Sequence, residues 1–201
     1  MFRTKLISRQ PAGMTLLELI IVLPMVAILT IIIMVLIINS LKSYRYSQAQ
    51  AQGSYQIANY LERVGRVVRG AFDVESADSK SLVMHAYFSP RDSVPDRIRY
   101  FVDTSGNLRV GTVVATGTAP NYTYNVASEQ ATTLLSNIKN DAGTPVFTYY
   151  DDNGNQLTGT ITPSSVKEIG IRLDINPDPS VLKNNLTGQT RINLRNRKTN
   201  L

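Results

Sequence analysis

Few residues in this chain could do chemistry, and their types narrow what it could be. There are no cysteines, so thiolate nucleophiles, disulfides and Cys-ligated metal centres are excluded. His85 is the one histidine, which excludes a His-rich metal site and a proton relay between imidazoles. It sits in a strand-like pattern with no acid or nucleophile beside it in sequence, and reads as an ordinary surface or core histidine. Asp151-Asp152-Asn153-Gly154-Asn155 carries oxygen ligands of the kind that suit Ca²⁺, as do Asp103, Ser105 and Asn107. Neither follows the Gly and Glu spacing of an EF-hand loop, so both read as hairpin turns. There is no Gly-rich phosphate loop, no G-x-S-x-G and no H-E-x-x-H. The chain therefore reads as a non-enzyme, with no catalytic group, no metal site and no cofactor. One carboxylate remains conspicuous by position: Glu18 stands where a long uncharged run begins.

The net charge of +6 from 21 basic and 15 acidic residues suggests nucleic acid until it is divided along the chain. Residues 1–13 carry Arg3, Lys5 and Arg9 and no acid. Residues 14–70 carry Lys42, Arg45, Arg63, Arg66 and Arg69 against Glu18 and Glu62. Subtracting these from the totals leaves 13 basic and 13 acidic residues in 71–201, which is neutral. A globular nucleic-acid binder would carry the excess on its folded body. Here the excess flanks an apolar segment, and nucleic acid is not an expected partner. The locally basic ending, Arg191, Arg195, Arg197 and Lys198, reads as solvated charge.

That apolar segment is 19–38, 20 residues without a charge. At about 1.5 Å per residue a helix of this length spans roughly 30 Å, the thickness of a bilayer's hydrocarbon core. Pro24 interrupts it and is expected to bend the helix. A secretory signal has an apolar core of only about 7–15 residues with its cleavage site close behind. The A-x-A match Ala49-Gln50-Ala51 lies ten residues beyond Ile38. A plain anchor fits the length, and the basic leader favours an N-terminus inside, although Lys42 and Arg45 on the far side weaken that bias. Neither reading accounts for Glu18, since a carboxylate at the start of a membrane helix is costly and usually marks function.

Gly13-Met14-Thr15-Leu16-Leu17-Glu18-Leu19-Ile20 resembles the class III leader of type IV pilins and type II secretion pseudopilins. The resemblance implies cleavage by a prepilin peptidase between Gly13 and Met14, N-methylation of Met14, and loss of 1–13 as a cytoplasmic leader. The apolar segment would be retained in the inner membrane, with the head outside, and then enter a filament. Phe is the usual residue at the position of Met14, which keeps only the apolar character. Pro24 lies earlier than the family's common kinking proline, so the bend is expected elsewhere. The implied partners are the prepilin peptidase, other pilin or pseudopilin subunits, the inner-membrane assembly platform and membrane lipid. The implied role of Glu18 is subunit assembly, by pairing with the new amine of a neighbour's Met14. Locally, Thr15-x-x-Glu18 also matches a capping box, and both roles can hold at different stages.

The elements that would position these residues follow. Ile57, Tyr60, Leu61, Val64, Val67, Val68, Ala71 and Phe72 recur at helical spacing, with Glu62, Arg63, Arg66 and Arg69 between them. One long helix is expected over 14–70: a span at about 19–38 and an amphipathic stem at about 39–70. Gly53, Gly65 and Gly70 are its weak points, and Gly70 its expected end. Residues 71–201 read as a β-rich head. Strands are expected at 82–88, 98–102, 108–115, 146–150 and 157–162, and from the alternations Ile169-Ile171-Leu173-Ile175 and Thr190-Ile192-Leu194. Residues 112–125 read as an exposed loop, 132–138 as a strand or a short helix begun at Ser128, and 176–188 as a loop. Helix followed by antiparallel sheet gives an α+β fold with the stem's apolar stripe on the sheet. The ending Thr190-Arg191-Ile192-Asn193-Leu194-Arg195-Asn196 resembles the closing strand of larger minor pilins and J-type minor pseudopilins. The expected function is thus a minor pilin-like structural subunit serving adhesion, motility or DNA uptake. The alternatives are a minor pseudopilin of type II secretion, and a membrane-tethered binding domain that does not polymerise.

Overall fold

A computed structural model describes residues 14–89, 92–118 and 121–194. The leader with Gly13 lies outside the described residues, as do Arg195, Asn196, Arg197 and Lys198 at the other end. The chain divides into two compact units, one up to Arg45 and one from Tyr46.

Helix α1 runs from Leu16 to Arg69, within two residues of the expected bounds at its start and one at its end. Thr15 opens it: its hydroxyl accepts the Glu18 amide at 3.3 Å and its carbonyl accepts the Leu19 amide at 3.1 Å. Pro24 lies inside the helix without ending it. The Thr30 hydroxyl donates to the Val26 carbonyl at 2.8 Å, so this polar group is satisfied within its own helix. At the far end the Gly70 and Ala71 amides reach back three residues, to Val67 and Val68, and tighten the last turn as the chain leaves the helix.

In the first unit the apolar side chains of α1 are exposed from Leu16 to Leu41, apart from half-buried Val22. In the second unit, α1 from Tyr46 onward packs on antiparallel sheets, and the fold is α+β. The strands are β1 (Asp73–Ala77), β2 (Ser81–Ala86), β3 (Asp96–Val102), β4 (Leu108–Val113), β5 (Thr116–Thr118), β6 (Asn121–Thr123), β7 (Gln130–Leu135), β8 (Phe147–Tyr150), β9 (Gln156–Leu157), β10 (Glu168–Ile175) and β11 (Leu186–Asn193). They form a five-stranded sheet β1-β2-β3-β4-β7, a four-stranded sheet β11-β10-β8-β9 and a two-stranded ribbon β5-β6. The sheets meet at a seam, where the Phe147 amide donates to the Ser79 carbonyl at 3.0 Å and the Tyr149 hydroxyl to the Asp78 carbonyl at 2.8 Å. Burial pushes the Tyr149 phenol well above its usual range, consistent with a hydroxyl that stays a donor.

The stem's stripe is the core's helical wall. Ile57, Val64, Val67, Val68 and Ala71 are buried in one cluster with Leu82, Met84, Ile98, Tyr100, Ile169, Leu173 and Ile192. Each fully buried aliphatic of this size contributes about 1.5–3 kcal/mol of transfer free energy. The helix lies close because glycines face it and stand on it. A Cβ on Gly53 would come within 2.9 Å of Pro177 Cγ, and one on Gly65 within 3.3 Å of Ile192 Cδ1. One on Gly188 of β11 would run into Ile57 and Leu61. Gly53 and Gly65 are therefore seats of contact, not the weak points their helix propensity indicates.

Several expectations need correction. Phe72 does not join the buried stripe; it is exposed and edge-on to Tyr87, with centroids 5.2 Å apart. The segment 112–125 holds the β5-β6 ribbon, and 130–135 settles as strand β7 instead of a helix from Ser128. Of 157–162 only Leu157 pairs, in a two-residue strand, because the chain turns into a short 3-10 helix at Pro163–Ser165. The loop from Asn176 is shorter than expected, since β11 already begins at Leu186. Strand β1 was not anticipated at all.

Candidate functional site

Two places gather residues that could act: the start of α1 and the outer side of the five-stranded sheet. At the first, Met14 and Glu18 are both exposed, one just before the helix and one in its first turn. The Thr15 cap holds the Glu18 backbone, so the start of the helix is satisfied by a neutral hydroxyl. Glu18 in the first turn also complements the positive end of the helix dipole. From Leu19 the helix carries no charge until Lys42, and one stretch of α1 is long and apolar enough to cross a membrane. The arrangement thus holds one carboxylate at one end of an uncharged, exposed helical segment.

The second place was not legible from the sequence. The His85 Nδ1 stands 2.6 Å from Asp73 Oδ1, and its Nε2 lies 3.7 Å from Glu75 Oε2. Both acids come from β1, whose register sets Asp73 directly opposite His85. Glu75 in turn holds Arg97 with two bonds, from Nε at 2.6 Å and Nη2 at 2.9 Å. That bond is the main cause raising the Arg97 pKa, against the opposing effect of burial. The Tyr124 ring lies over the imidazole at 4.6 Å between centroids, and its hydroxyl donates to the Pro95 carbonyl at 2.9 Å. Burial first, then the charges of Asp73 and Asp96, push the Tyr124 phenol up. Asp96 is pushed up as well, by burial and then by Asp92, against a lowering bond from the Ala115 amide. The cluster ties β1, β2, β3 and the foot of the ribbon together. It sets an imidazole between two carboxylates, one of which also holds Arg97, so these side chains form a strut across three strands.

The two acidic turns are accounted for atom by atom. Asp151 Oδ1 accepts the amides of Asn153 at 2.9 Å and Asn155 at 2.8 Å, and Oδ2 accepts the Asn155 side-chain amide at 3.1 Å. Asp103 does the same with Ser105 at 3.0 Å, Asn107 at 2.9 Å and the Asn107 side chain at 3.2 Å. Gly106 and Gly154 take positive φ, +74° and +79°, which an L side chain resists. The backbone bonds from Asn107 and Asn155 are the largest causes holding these carboxyls below the usual range. Their lone pairs are engaged in the turn, as the hairpin reading expects. Among the described residues no group of three or more His, Asp or Glu is placed to hold a metal ion.

No family model, curated protein or solved structure matches this chain. A groove of about 640 Å³ lies on the outer face of the four-stranded sheet, over Thr148, Gly170, Arg172 and Gln189. Its aromatic wall is already covered, because Arg191 stacks 3.6 Å from the centroid of Tyr150 while bonding Glu168 at 2.7 Å. Of the expected site residues, Met14 and Glu18 lie together at the start of α1, and Gly13 lies outside the described residues.

Proposed function

We propose that this chain is a structural subunit of the type IV pilin kind, cut between Gly13 and Met14, methylated on Met14 and assembled into a filament. The observation that carries the reading is the exposure of Glu18 at the start of a helix whose next 23 residues, 19–41, hold no charge. Such a segment is helical by itself yet leaves its apolar surface uncovered, which suits first a bilayer and then the packed core of a filament. In either place the Glu18 carboxylate is costly without a cation, and a neighbour's methylated amine on Met14 would supply one. Pairing of this kind sets the stagger between subunits. The second support is the stem, which carries the same helix onto a β-sheet head able to stand outside the membrane and meet neighbours or a target. "Minor" rests on the resemblance of the closing strand, of which β11 holds Thr190, Arg191, Ile192 and Asn193. Prepilin peptidase, other subunits and an inner-membrane assembly platform are the partners this reading requires.

Mass spectrometry of the membrane-extracted protein tests it. The expected result is a chain beginning at methylated Met14; an intact Met1, or a start near Gln52, sinks the proposal. Glu18→Ala is expected to insert in the membrane normally and to be missing from sheared filaments, whereas normal incorporation would reject the pairing mechanism. Deleting the gene separates the two filament types. Loss of surface pili supports a pilus subunit, and loss of secreted proteins with pili intact supports the pseudopilin form.

A further inference from the structure

Between Glu18 and Glu62 the chain has no acidic residue, and only two cations, Lys42 and Arg45. They stand three residues apart, so they share one face of α1 with Cβ atoms about 5–6 Å from each other. Both are exposed on an unbroken helix, and neither has a carboxylate on its own helix within reach. Leu41 and Tyr44 are exposed in the same turn, Tyr44 at 66%. Two cations immediately outside a span run against the usual bias, which places Lys and Arg on the cytoplasmic side. Their position needs a reason.

Depth supplies one. If 19–38 fills the hydrocarbon layer, Lys42 and Arg45 lie about 6 and 10 Å beyond its edge at 1.5 Å per residue. The headgroup layer on each side is about 5–8 Å thick. Side chains on an α-helix slant toward its N-terminus. With the N-terminus on the cytoplasmic side, these two slant back toward the membrane, and their long stems can set both charges among the phosphates. Tyr44 suits the same depth, with an apolar ring and a polar tip.

We propose that Lys42, Arg45 and Tyr44 form a lipid-headgroup clamp on the outer side of the membrane, selective for anionic phospholipid. The clamp rests on the membrane-spanning reading of α1 and adds to it a lipid class and the residues that choose it. It opposes withdrawal of the helix until a subunit is taken up, because leaving the bilayer separates both cations from their phosphates.

The test uses the full chain reconstituted in phosphatidylcholine vesicles containing brominated phosphatidylglycerol or brominated phosphatidylcholine at equal mole fraction, read by tyrosine quenching. The brominated anionic lipid is expected to associate more strongly, by about fivefold for each cation engaged. Lys42→Gln and Arg45→Gln should each remove about that factor, the double variant should quench equally with both lipids, and Lys42→Arg should keep the preference. Raising salt should shrink the preference, and millimolar inorganic phosphate should leave it unchanged, since the clamp is for lipid and not for the free anion. Equal quenching of the wild-type chain by the two lipids overturns the clamp. Vesicle flotation run in parallel keeps the two readings apart. A chain that fails to float overturns the span and the clamp together, while a chain that floats but shows no lipid preference overturns the clamp alone.

Discussion

The two halves of α1 share one secondary structure and differ in everything that surrounds it. From Leu19 to Ile38 the helix is apolar on every side, and up to Arg45 it is exposed on nearly every side. From Tyr46 it is polar on one face, and the other face is buried to the point that Val68 is fully inaccessible. The first half is a helix because its backbone groups pair within it, although it holds Pro24 and many β-branched Ile and Val residues. Nothing in the described chain covers it. The second half carries two glycines, Gly53 and Gly65, and polar side chains between its apolar ones, and is held by what it packs against. Helix periodicity describes both halves; only the second has its environment supplied by the same chain.

The largest expected effect that sharpens this contrast is at Gly188. A valine there would place methyl groups inside Ile57 and Leu61, with the stem on one side and β11 on the other. Overpacking of this kind costs about 3 kcal/mol, so Gly188→Val should lower the thermal midpoint of the detergent-solubilised chain by about 10 °C. An unchanged midpoint would mean that the stem does not press on β11 as described.

A smaller loss is expected at the strut on the five-stranded sheet. Glu75→Ala removes both bonds to Arg97, a side chain only 10% exposed whose Nη1 already lacks a partner. Hydrogen bonds to charged groups contribute about 1.5–3 kcal/mol, and since Glu75 is 41% exposed the lower end applies, about 1.5 kcal/mol, measured as a shift in the urea midpoint at constant slope. No shift would place Arg97's support elsewhere. Tyr124→Phe removes only the bond to Pro95 and should cost less, about 1 kcal/mol by the same measurement.

The strut also marks where the sequence stopped being legible. The stem is readable because its buried residues recur every three or four positions, and β10 and β11 because Ile169-Ile171-Leu173-Ile175 and Thr190-Ile192-Leu194 alternate along the chain. Strand β1 buries only Val74, and a register shift between Val74 and Ser76 breaks its alternation, so no hydrophobic period announces it. With β1 unseen, Asp73 and Glu75 could not be placed beside His85. The turn at Asp78-Ser79-Lys80 is not enough of a signal: a regular fold-back from Ala77↔Leu82 would set Asp73 opposite Ala86, and only the register shift brings it opposite His85. The β5-β6 ribbon escaped because all its residues but Tyr122 are exposed and none is in the core. Gly53 and Gly65 were misjudged because propensity counts the cost of a glycine within its helix. What they admit, Pro177, Leu186 and Ile192, lies more than a hundred residues away. At the start of α1 one half of the expected capping box is present, with Thr15 capping the Glu18 amide.

The acidic turns offer a test by pH. Asp103 and Asp151 have folded pKa values below 3.8, their value in the open chain. A carboxyl lowered on folding binds protons more weakly in the folded state. Its contribution to stability is complete above pH 3.8 and is lost as pH falls through the lower, folded value. Asp103→Asn with Asp151→Asn should therefore flatten the acid limb of a stability–pH curve below about pH 4 while leaving the neutral plateau nearly in place. Both residues are partly exposed at surface turns, so the change is a small one. An acid limb as steep as the wild type's would show that other carboxyls carry it.

The smallest effect is expected in the first half of α1, and its smallness is informative. Ile31→Ala removes an aliphatic side chain of the same class as Ile57, and in a packed core such a change costs about 2–5 kcal/mol. Ile31 is exposed, however, and is not a member of the core cluster. In detergent the head should melt at the wild-type temperature, since alanine is also the best helix former and detergent replaces the lost contact. Ile57→Ala, four percent exposed and inside the cluster, should show the full loss. The pair converts the contrast between the halves into one number. If Ile31→Ala destabilised the head as Ile57→Ala does, the span would have to fold back on the sheets. The division of α1 into an uncovered half and a packed half would then fail.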